Sequence, residues 1–190
     1  MHGLLETDVT LAILGDSIPY NILTAGYFPE AVNLCVPGAK PADFVGDGVY
    51  ASTFAQALAL FPRFLHLHLG TNAVETDVDK LAAAATILDM ALTARAKGIM
   101  VLLAKITPRG WDITLFNDTM QANATQYGFR LANYYDPFVV NGQLYADLFE
   151  SDQTHPNACG KVVQAGVLAP HITSMAGYAR LIATMAQEAV

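Results

Sequence analysis

A serine, a histidine and an aspartate in this chain have the types and the spacing that nucleophilic catalysis needs. Ser17 directly follows an apolar run, in the segment ILGDSIP. His155 lies in the segment SDQTHPN, three residues after Asp152, a spacing that lets the carboxylate bend back towards one imidazole nitrogen within a turn. A serine hydroxyl becomes a good nucleophile when a base takes its proton and a third group orients that base. The three residues therefore predict acyl transfer.

The segment around His155 also has an interpretation that concerns structure alone. Pro156 disfavours helical backbone at His155, so the ring is presented from a loop. The same polar turn could instead only cap the next helix, with Asn157 as its N-cap. Asp16 is expected to face away from Ser17 and to bond to nearby backbone. The catalytic interpretation therefore requires a fold that brings Ser17 and His155 together.

Two further loops offer donors for the oxyanion of a tetrahedral intermediate. Gly38, in the segment VPGA, can present an exposed backbone N–H with little steric cover. Asn72, in the segment GTN, offers a side-chain amide. Each residue considered alone could be an ordinary turn or cap residue. Combined with Ser17 and His155, they complete the set of groups that an acyl-transfer site needs.

The elements that must position these residues alternate along the chain. Apolar runs of strand length are separated by segments of helical period, which predicts a parallel sheet with helices on both faces and right-handed crossovers. The strand candidates are residues 10–15, 31–36, 64–69, 99–106 and 130–135. The helix candidates are residues 51–61, 77–97 and 113–127, a segment after Asn157 and a further segment after Pro170.

This arrangement predicts where the candidate residues meet. In open parallel sheets, ligands bind beyond the carboxyl ends of the strands. Ser17 lies just past the end of the first strand candidate, and loops beginning near Pro37, Gly70, Thr107 and Asp136 open onto the same edge.

In four blocks between residue 10 and about residue 160, the chain resembles the SGNH or GDSL hydrolases. The blocks are Gly15-Asp16-Ser17, Gly38 after the second strand, Gly70-Thr71-Asn72, and the run from Asp152 to Asn157. The resemblance implies a three-layer, flavodoxin-like α/β fold with a five-stranded parallel sheet in the order 2-1-3-4-5. It also implies catalysis without a metal or an organic cofactor.

The resemblance further implies a role for each matching residue. Ser17 would be the nucleophile and would place its own N–H in the oxyanion hole, which Gly38 N–H and the Asn72 side chain complete. His155 would act as general base and then as general acid, and Asp152 would orient it. Ala73 stands where the third block often has aspartate, which bears on the hydrogen bonding that positions this loop and on the subfamily.

The expected function is hydrolysis of short-chain acyl esters, such as acetyl groups on carbohydrate, because the loops between the blocks leave little room for a large lid. A thioesterase or a lysophospholipase of the same fold is the alternative within the enzymes. A carbohydrate-binding or assembly domain without catalysis is the alternative from another class. Arg109 and Trp111, in the segment PRGW, either form a wall of the substrate cleft or lie in a solvated loop with one aromatic packed inward.

Composition narrows the class of protein and its partners. Of the 190 residues, 53% are hydrophobic and 14% charged, which predicts a single compact domain over residues 1–190. The formal net charge is −7, without a basic run, so nucleic acid and anionic membrane surfaces are poor partners. No membrane span is expected.

The apolar tail after Pro170 could pack on the core or form a homo-oligomer contact. The start of the sequence fits a cytoplasmic protein, or a secreted one whose leader was removed.

Histidines and cysteines outside the four blocks are assigned structural roles. An H-x-H pair such as His66 and His68 can bind zinc, but further ligands are not apparent, and hydrogen-bonded core histidines are the favoured interpretation. His68 could also support the active-site loop from beneath. Cys35 and Cys159 are expected to be small buried thiols, with a disulfide only if the fold brings both to one edge of the sheet.

Overall fold

A computed structural model of the chain describes the backbone of residues 10–188 and the side chains of residues 10–175. Its centre is a five-stranded parallel sheet in the order β2-β1-β3-β4-β5. This confirms the predicted α/β fold and strand order. The strands are β1 (Leu11–Gly15), β2 (Val32–Asn33), β3 (Phe64–His68), β4 (Met100–Lys105) and β5 (Arg130–Asn133).

Helices cover both faces of the sheet. They are α1 (Ser17–Thr24), α2 (Ala51–Ala59), α3 (Asp77–Ala96), α4 (Thr114–Tyr127) and α5 (Ala158–Glu188). A small antiparallel hairpin of β6 (Val139–Val140) and β7 (Gln143–Leu144) lies between β5 and α5. None of the described helices is long and apolar enough to cross a membrane.

Two apolar cores lie on opposite faces of the sheet because side chains alternate along each strand. Ala12 and Leu14 of β1 belong to the core that α2, α3 and α4 cover. Leu11 and Ile13 belong to the second core, which contains residues of α5. Burial on both faces explains why the three central strands, β1, β3 and β4, are largely apolar runs in the sequence.

Helix α1 was not predicted from the sequence, since its segment SIPYNILT contains a proline and two β-branched isoleucines. The Asp16 side chain caps the helix by accepting from Ile18 N–H at 3.0 Å. Pro19 lies in the first turn, where a missing N–H costs little. Burial of Ile18, Pro19 and Ile22 then outweighs the weak local propensity.

The predicted interruption at Pro170 was wrong, because α5 continues through it. A proline inside a helix removes one hydrogen bond and crowds the carbonyl four residues earlier. That earlier residue is Gly166, and both Gly166 and Pro170 are exposed, so water can reach the freed carbonyl. The helix therefore tolerates a residue that the sequence pattern treats as a break.

Strand β2 is shorter than the predicted 31–36, although the residues after it continue to form hydrogen bonds with β1. Leu34 N–H donates to the Ile13 carbonyl and Val36 N–H to the Gly15 carbonyl, both at 2.9 Å. The segment thus pairs with β1 up to the loop that contains Gly38, which places this loop at the carboxyl ends of the strands.

Gly15, the last residue of β1, lies where two parts of the backbone approach closely. A Cβ atom there would lie 2.2 Å from the Pro19 side chain and 2.7 Å from the His68 carbonyl oxygen. We expect Gly15→Ala to lower the free energy of unfolding by about 3 kcal/mol, measured by urea denaturation. Gly166→Ala is the matched control, because that helical site is open and alanine favours helix by up to about 1 kcal/mol. Equal stability of the two variants would contradict the prediction.

Candidate active site

Ser17, His155 and Asp152 form a hydrogen-bonded chain at the carboxyl edge of the sheet. Ser17 Oγ lies 2.9 Å from His155 Nε2. On the other side of the ring, His155 Nδ1 lies 2.6 Å from Asp152 Oδ2. With the proton on Nδ1, the ring donates to Asp152 and can accept from the serine hydroxyl. The structure thus brings Ser17 next to His155, which lies 138 positions later in the sequence, and to the nearby Asp152, in the geometry of a nucleophile, a base and an orienting acid.

The loop that carries His155 is held by hydrogen bonds between its own residues. Asp152 Oδ1 accepts from both the Thr154 and the His155 backbone N–H, each at 2.9 Å, so that one carboxylate fixes the turn and the ring together. Glu150 N–H donates to the His155 carbonyl at 2.8 Å and closes the loop. Gln153 adopts a left-handed φ of 52° within it. The hydrogen bonds from His155 and Thr154 lower the pKa of Asp152 to about 2, so it is ionised at neutral pH.

Ser17 is the first residue of α1, a position that leaves its backbone N–H outside the helix. Within the described chain, this N–H has no hydrogen-bond acceptor. The positive end of the helix dipole favours negative charge at this position. The backbone N–H of Ser17, which was predicted to be an oxyanion donor, is therefore available to bind a ligand.

Gly38 and Asn72 follow the strands on either side of β1. Gly38 has a φ of +81°, which only glycine adopts easily, and a Cβ there would meet no other atom. Its backbone conformation, not a lack of space, explains the glycine. The Asn72 side-chain amide donates to the Ala39 carbonyl at 3.2 Å and links the second-block loop to the third. Its second N–H can serve a ligand.

Asp16 lies beneath this arrangement and is fully buried. Its Oδ1 accepts from Ile18 N–H at 3.0 Å, and its Oδ2 accepts from Thr71 N–H at 3.2 Å. Burial raises the pKa of Asp16 to about 6, although these hydrogen bonds oppose the rise. Asp16 therefore ties the serine turn to the loop that carries Asn72, as a structural residue that bonds to backbone. The sequence indicated the type of contact but not its distant partner, Thr71.

Arg109 and Trp111 lie beside the same loop. An Arg109 guanidinium N–H donates to the Thr71 carbonyl, and the guanidinium lies 4.3 Å from the centre of the Trp111 ring. The Trp111 side chain is 46% exposed. Arg109 thus contacts the third block directly and covers one face of the partly exposed Trp111 ring.

The histidine pair of β3 lies in the core below the site. His66 bonds to the Leu102 carbonyl at 3.0 Å and to the Tyr134 hydroxyl at 3.1 Å, and burial lowers its pKa to about 4. His68 stacks on the Tyr134 ring at 4.4 Å, and burial holds its pKa well below the ordinary value. Neither His68 nitrogen has a hydrogen-bond partner in the described chain. Its backbone carbonyl accepts from Asp16 N–H at 3.4 Å, which is the support it gives the serine turn.

The cysteines are both free in the described structure, and Cys159 is exposed rather than buried as expected. Cys35 Sγ lies 3.5 Å from the Ile13 carbonyl, and burial raises the pKa of the Cys35 thiol. Across residues 10–175, no group of three or more histidine, cysteine or acidic side chains is placed to hold a metal ion.

A cavity of about 140 Å³ opens beside Asn72 and away from Ser17, His155 and Asp152, which do not line it. Lys40, Glu75 and Asp79 are charged residues of its lining, which is otherwise mostly apolar and includes Ala73. A larger cavity of about 370 Å³ lies at the opposite edge of the sheet, next to Gly98 and Gly128, and is separate from the triad.

Comparisons with known proteins agree with this architecture. The sequence matches no protein-family model and no curated protein. A GDSL-like lipase from Bacteroides thetaiotaomicron is similar in structure, with a TM-score of 0.75 and 19% identity over 90% of each chain. TesA aligns with a TM-score of 0.64 and 21% identity, over 87% of this chain and 99% of that one.

A third similar structure is larger than the present chain. It is a two-domain esterase active on acetylated mannans, with a TM-score of 0.61 and 19% identity over 88% of this chain and 49% of that one. The present chain therefore corresponds to about half of that protein. At these identities the comparisons establish architecture, and that architecture is the one implied by the four blocks. The chain has the SGNH/GDSL-hydrolase fold.

Proposed function

We propose that the protein is a serine hydrolase that cleaves short-chain acyl esters, with acetyl groups on carbohydrate as the expected substrates. The observation that carries the proposal is the unbroken hydrogen-bonded path from Ser17 Oγ through the His155 ring to Asp152. The similar solved structures, which are named as lipases and esterases, support the same reaction class.

The proposed reaction has two halves. His155 Nε2 takes the proton of the Ser17 hydroxyl as Oγ attacks the ester carbonyl, and the ionised Asp152 stabilises the resulting imidazolium. The oxyanion would be held by the N–H groups of Ser17 and Gly38 and by the Asn72 amide. His155 then gives its proton to the departing alcohol, which leaves an acyl group on Ser17. Water, deprotonated by His155, attacks this ester and regenerates the serine.

The charged and aromatic groups near Asn72 and Arg109 support a small and polar substrate. The cavity beside Asn72 has charged groups from Lys40, Glu75 and Asp79, which can bond to sugar hydroxyls. The face of the partly exposed Trp111 ring opposite Arg109 would be a flat apolar surface of the kind that stacks on a sugar face. Trp111 remains the proposed wall of the substrate cleft, and for Arg109 a wall role and a positioning role predict different kinetic effects. A similar structure acts on acetylated mannans, which supports carbohydrate as the alcohol part.

The experiment that tests the proposal compares the protein with its Ser17→Ala variant. We expect the protein to hydrolyse 4-nitrophenyl acetate and the variant to be slower by at least about 10⁴-fold in kcat. A serine-directed fluorophosphonate should add one adduct to the protein, seen by intact mass, and none to the variant. Buffer rates for both proteins without an adduct would instead indicate a domain without catalysis.

The acyl preference is tested with acetyl, butyryl and octanoyl esters beside acetylated xylan. We expect kcat/KM to fall along the series and acetate to be released from the xylan. A preference for the octanoyl ester, without acetate release, would favour a thioesterase or a lysophospholipase.

A further inference from the structure

The oxyanion loop, residues 70–73, is held at Thr71 from two directions. Thr71 is buried, and its backbone N–H donates to Asp16 Oδ2 at 3.2 Å. Its carbonyl accepts from an Arg109 guanidinium N–H. The two peptide groups that flank Thr71 are therefore both fixed by charged side chains. The second of them is the peptide that carries the N–H of Asn72, so the orientation of this peptide sets the direction of the Asn72 side chain.

Few hydrogen-bonding groups within residues 70–73 could fix the Thr71 carbonyl or the Asn72 side chain. Ala73 has no polar side-chain group, and its N–H closes the turn on the Gly70 carbonyl at 2.9 Å. The side-chain amide of Asn72 bonds to the Ala39 carbonyl, which fixes one of its two N–H groups. The carbonyl of Thr71 needs a donor from outside the loop, and Arg109 is that donor.

The Arg109 guanidinium is held in place by a neighbouring aromatic ring. Its guanidinium lies over the Trp111 ring, and a planar group held in this way loses little freedom when it donates. Burial lowers the pKa of Arg109, whereas the charges of Asp16 and Glu75 oppose that change. A charged donor polarises the Thr71–Asn72 peptide more strongly than a neutral one would.

From these contacts we infer that Arg109 is a positioning residue that orients the Asn72 side chain towards the oxyanion. Arg109 holds the third-block loop from the loop after β4, whereas Ala73 has no carboxylate with which to hold it. The inference rests on the proposed function, since it concerns the same reaction. It differs from a substrate-wall role, because a wall acts on KM and an aimed oxyanion donor acts on kcat.

A double-mutant cycle between Arg109→Ala and Asn72→Ala tests the inference with 4-nitrophenyl acetate. We expect Arg109→Ala to lower kcat by about 10-fold to 100-fold with little change in KM, and Asn72→Ala to lower it by about 10²-fold to 10³-fold. The double variant should be no slower than Asn72→Ala within about threefold, because Arg109 would act only through Asn72.

Two further variants separate positioning from general damage. Arg109→Lys keeps a charged donor and should retain a kcat between those of the original protein and Arg109→Ala. Millimolar guanidinium should restore part of the activity of Arg109→Ala, which loss of folding would not allow. Arg63→Ala, exposed at the opposite edge of the sheet, is the matched control and should leave kcat unchanged.

Additive effects in the cycle, or a change in KM alone, would overturn the role of Arg109 while hydrolysis by the original protein still supported the proposed function. An original protein that neither hydrolyses esters nor takes up the fluorophosphonate would remove the proposed function, and the role of Arg109 with it. The activity of the original protein, measured in the same series, therefore distinguishes the two failures.

Discussion

Replacing His155 with alanine is expected to lower kcat for 4-nitrophenyl acetate by at least about 10⁴-fold, because Ser17 then has no base for its proton. The 2.9 Å contact between Ser17 Oγ and His155 Nε2 is the only described path by which this hydroxyl reaches a base. The loss should appear in kcat with KM little changed, since the imidazole acts mainly in the transition state. Stopped assays at several substrate concentrations measure both constants.

Asp152→Asn extends this prediction to the third member of the triad. An amide in place of the carboxylate can turn its NH2 group towards the ring and favour the wrong tautomer, so we expect a loss of about 10²-fold to 10⁴-fold in kcat. Asp147→Asn, exposed in the same part of the chain, is the matched control and should keep the original kcat. Full activity of His155→Ala, or equal activity of the two asparagine variants, would contradict the assignment.

Replacing Asp16 with alanine is expected to lower the free energy of unfolding by about 2 to 4 kcal/mol, because two buried N–H groups lose their acceptor. These are the N–H groups of Ile18 and Thr71. The same change releases the serine turn from the oxyanion loop, so kcat should fall by about 10²-fold as well. Urea denaturation and the esterase assay measure the two effects. Asp118→Asn, exposed on α4, is the control and should change stability by less than about 0.5 kcal/mol.

The raised pKa of Asp16 gives this prediction a pH dependence. The folded protein holds the Asp16 proton up to about pH 6, whereas the unfolded chain releases it near pH 4. The folded state thus binds more protons in this interval, and the contribution of Asp16 to stability falls as pH rises from 4 to 6. The difference in unfolding free energy between the original protein and Asp16→Asn should decrease with pH there, by at most about 1.4 kcal/mol per pH unit. A difference that increases with pH would reverse the assigned sign.

Much of the site could be predicted from the sequence because its parts lie at strand ends. The apolar runs that end at Gly15 and at Gly70 mark buried strands, and parallel strands present their carboxyl ends at one edge. The approach of Ser17 to His155 follows from that topology together with the four blocks.

Other features depend on contacts between residues distant in sequence, which no local pattern reveals. The bond from Asp16 to Thr71 and the contact of Arg109 with the same residue arise only when the loops after β1, β3 and β4 assemble. Helix α1 forms through burial against the sheet, and α5 continues through Pro170 because the proline faces solvent. In each case the tertiary environment outweighs the local propensity.

The hydrogen bonds that join the loops of the site have a consequence for how the substrate range could change. The loops that carry Ser17, Asn72 and His155 are joined to one another or closed by their own backbone. By contrast, Val140 and Tyr145 project into solvent from the hairpin region before the histidine loop. Such surface positions can accept new side chains without moving the catalytic groups. Directed evolution of the substrate range should therefore accumulate its first substitutions at exposed positions and leave the bracing residues untouched.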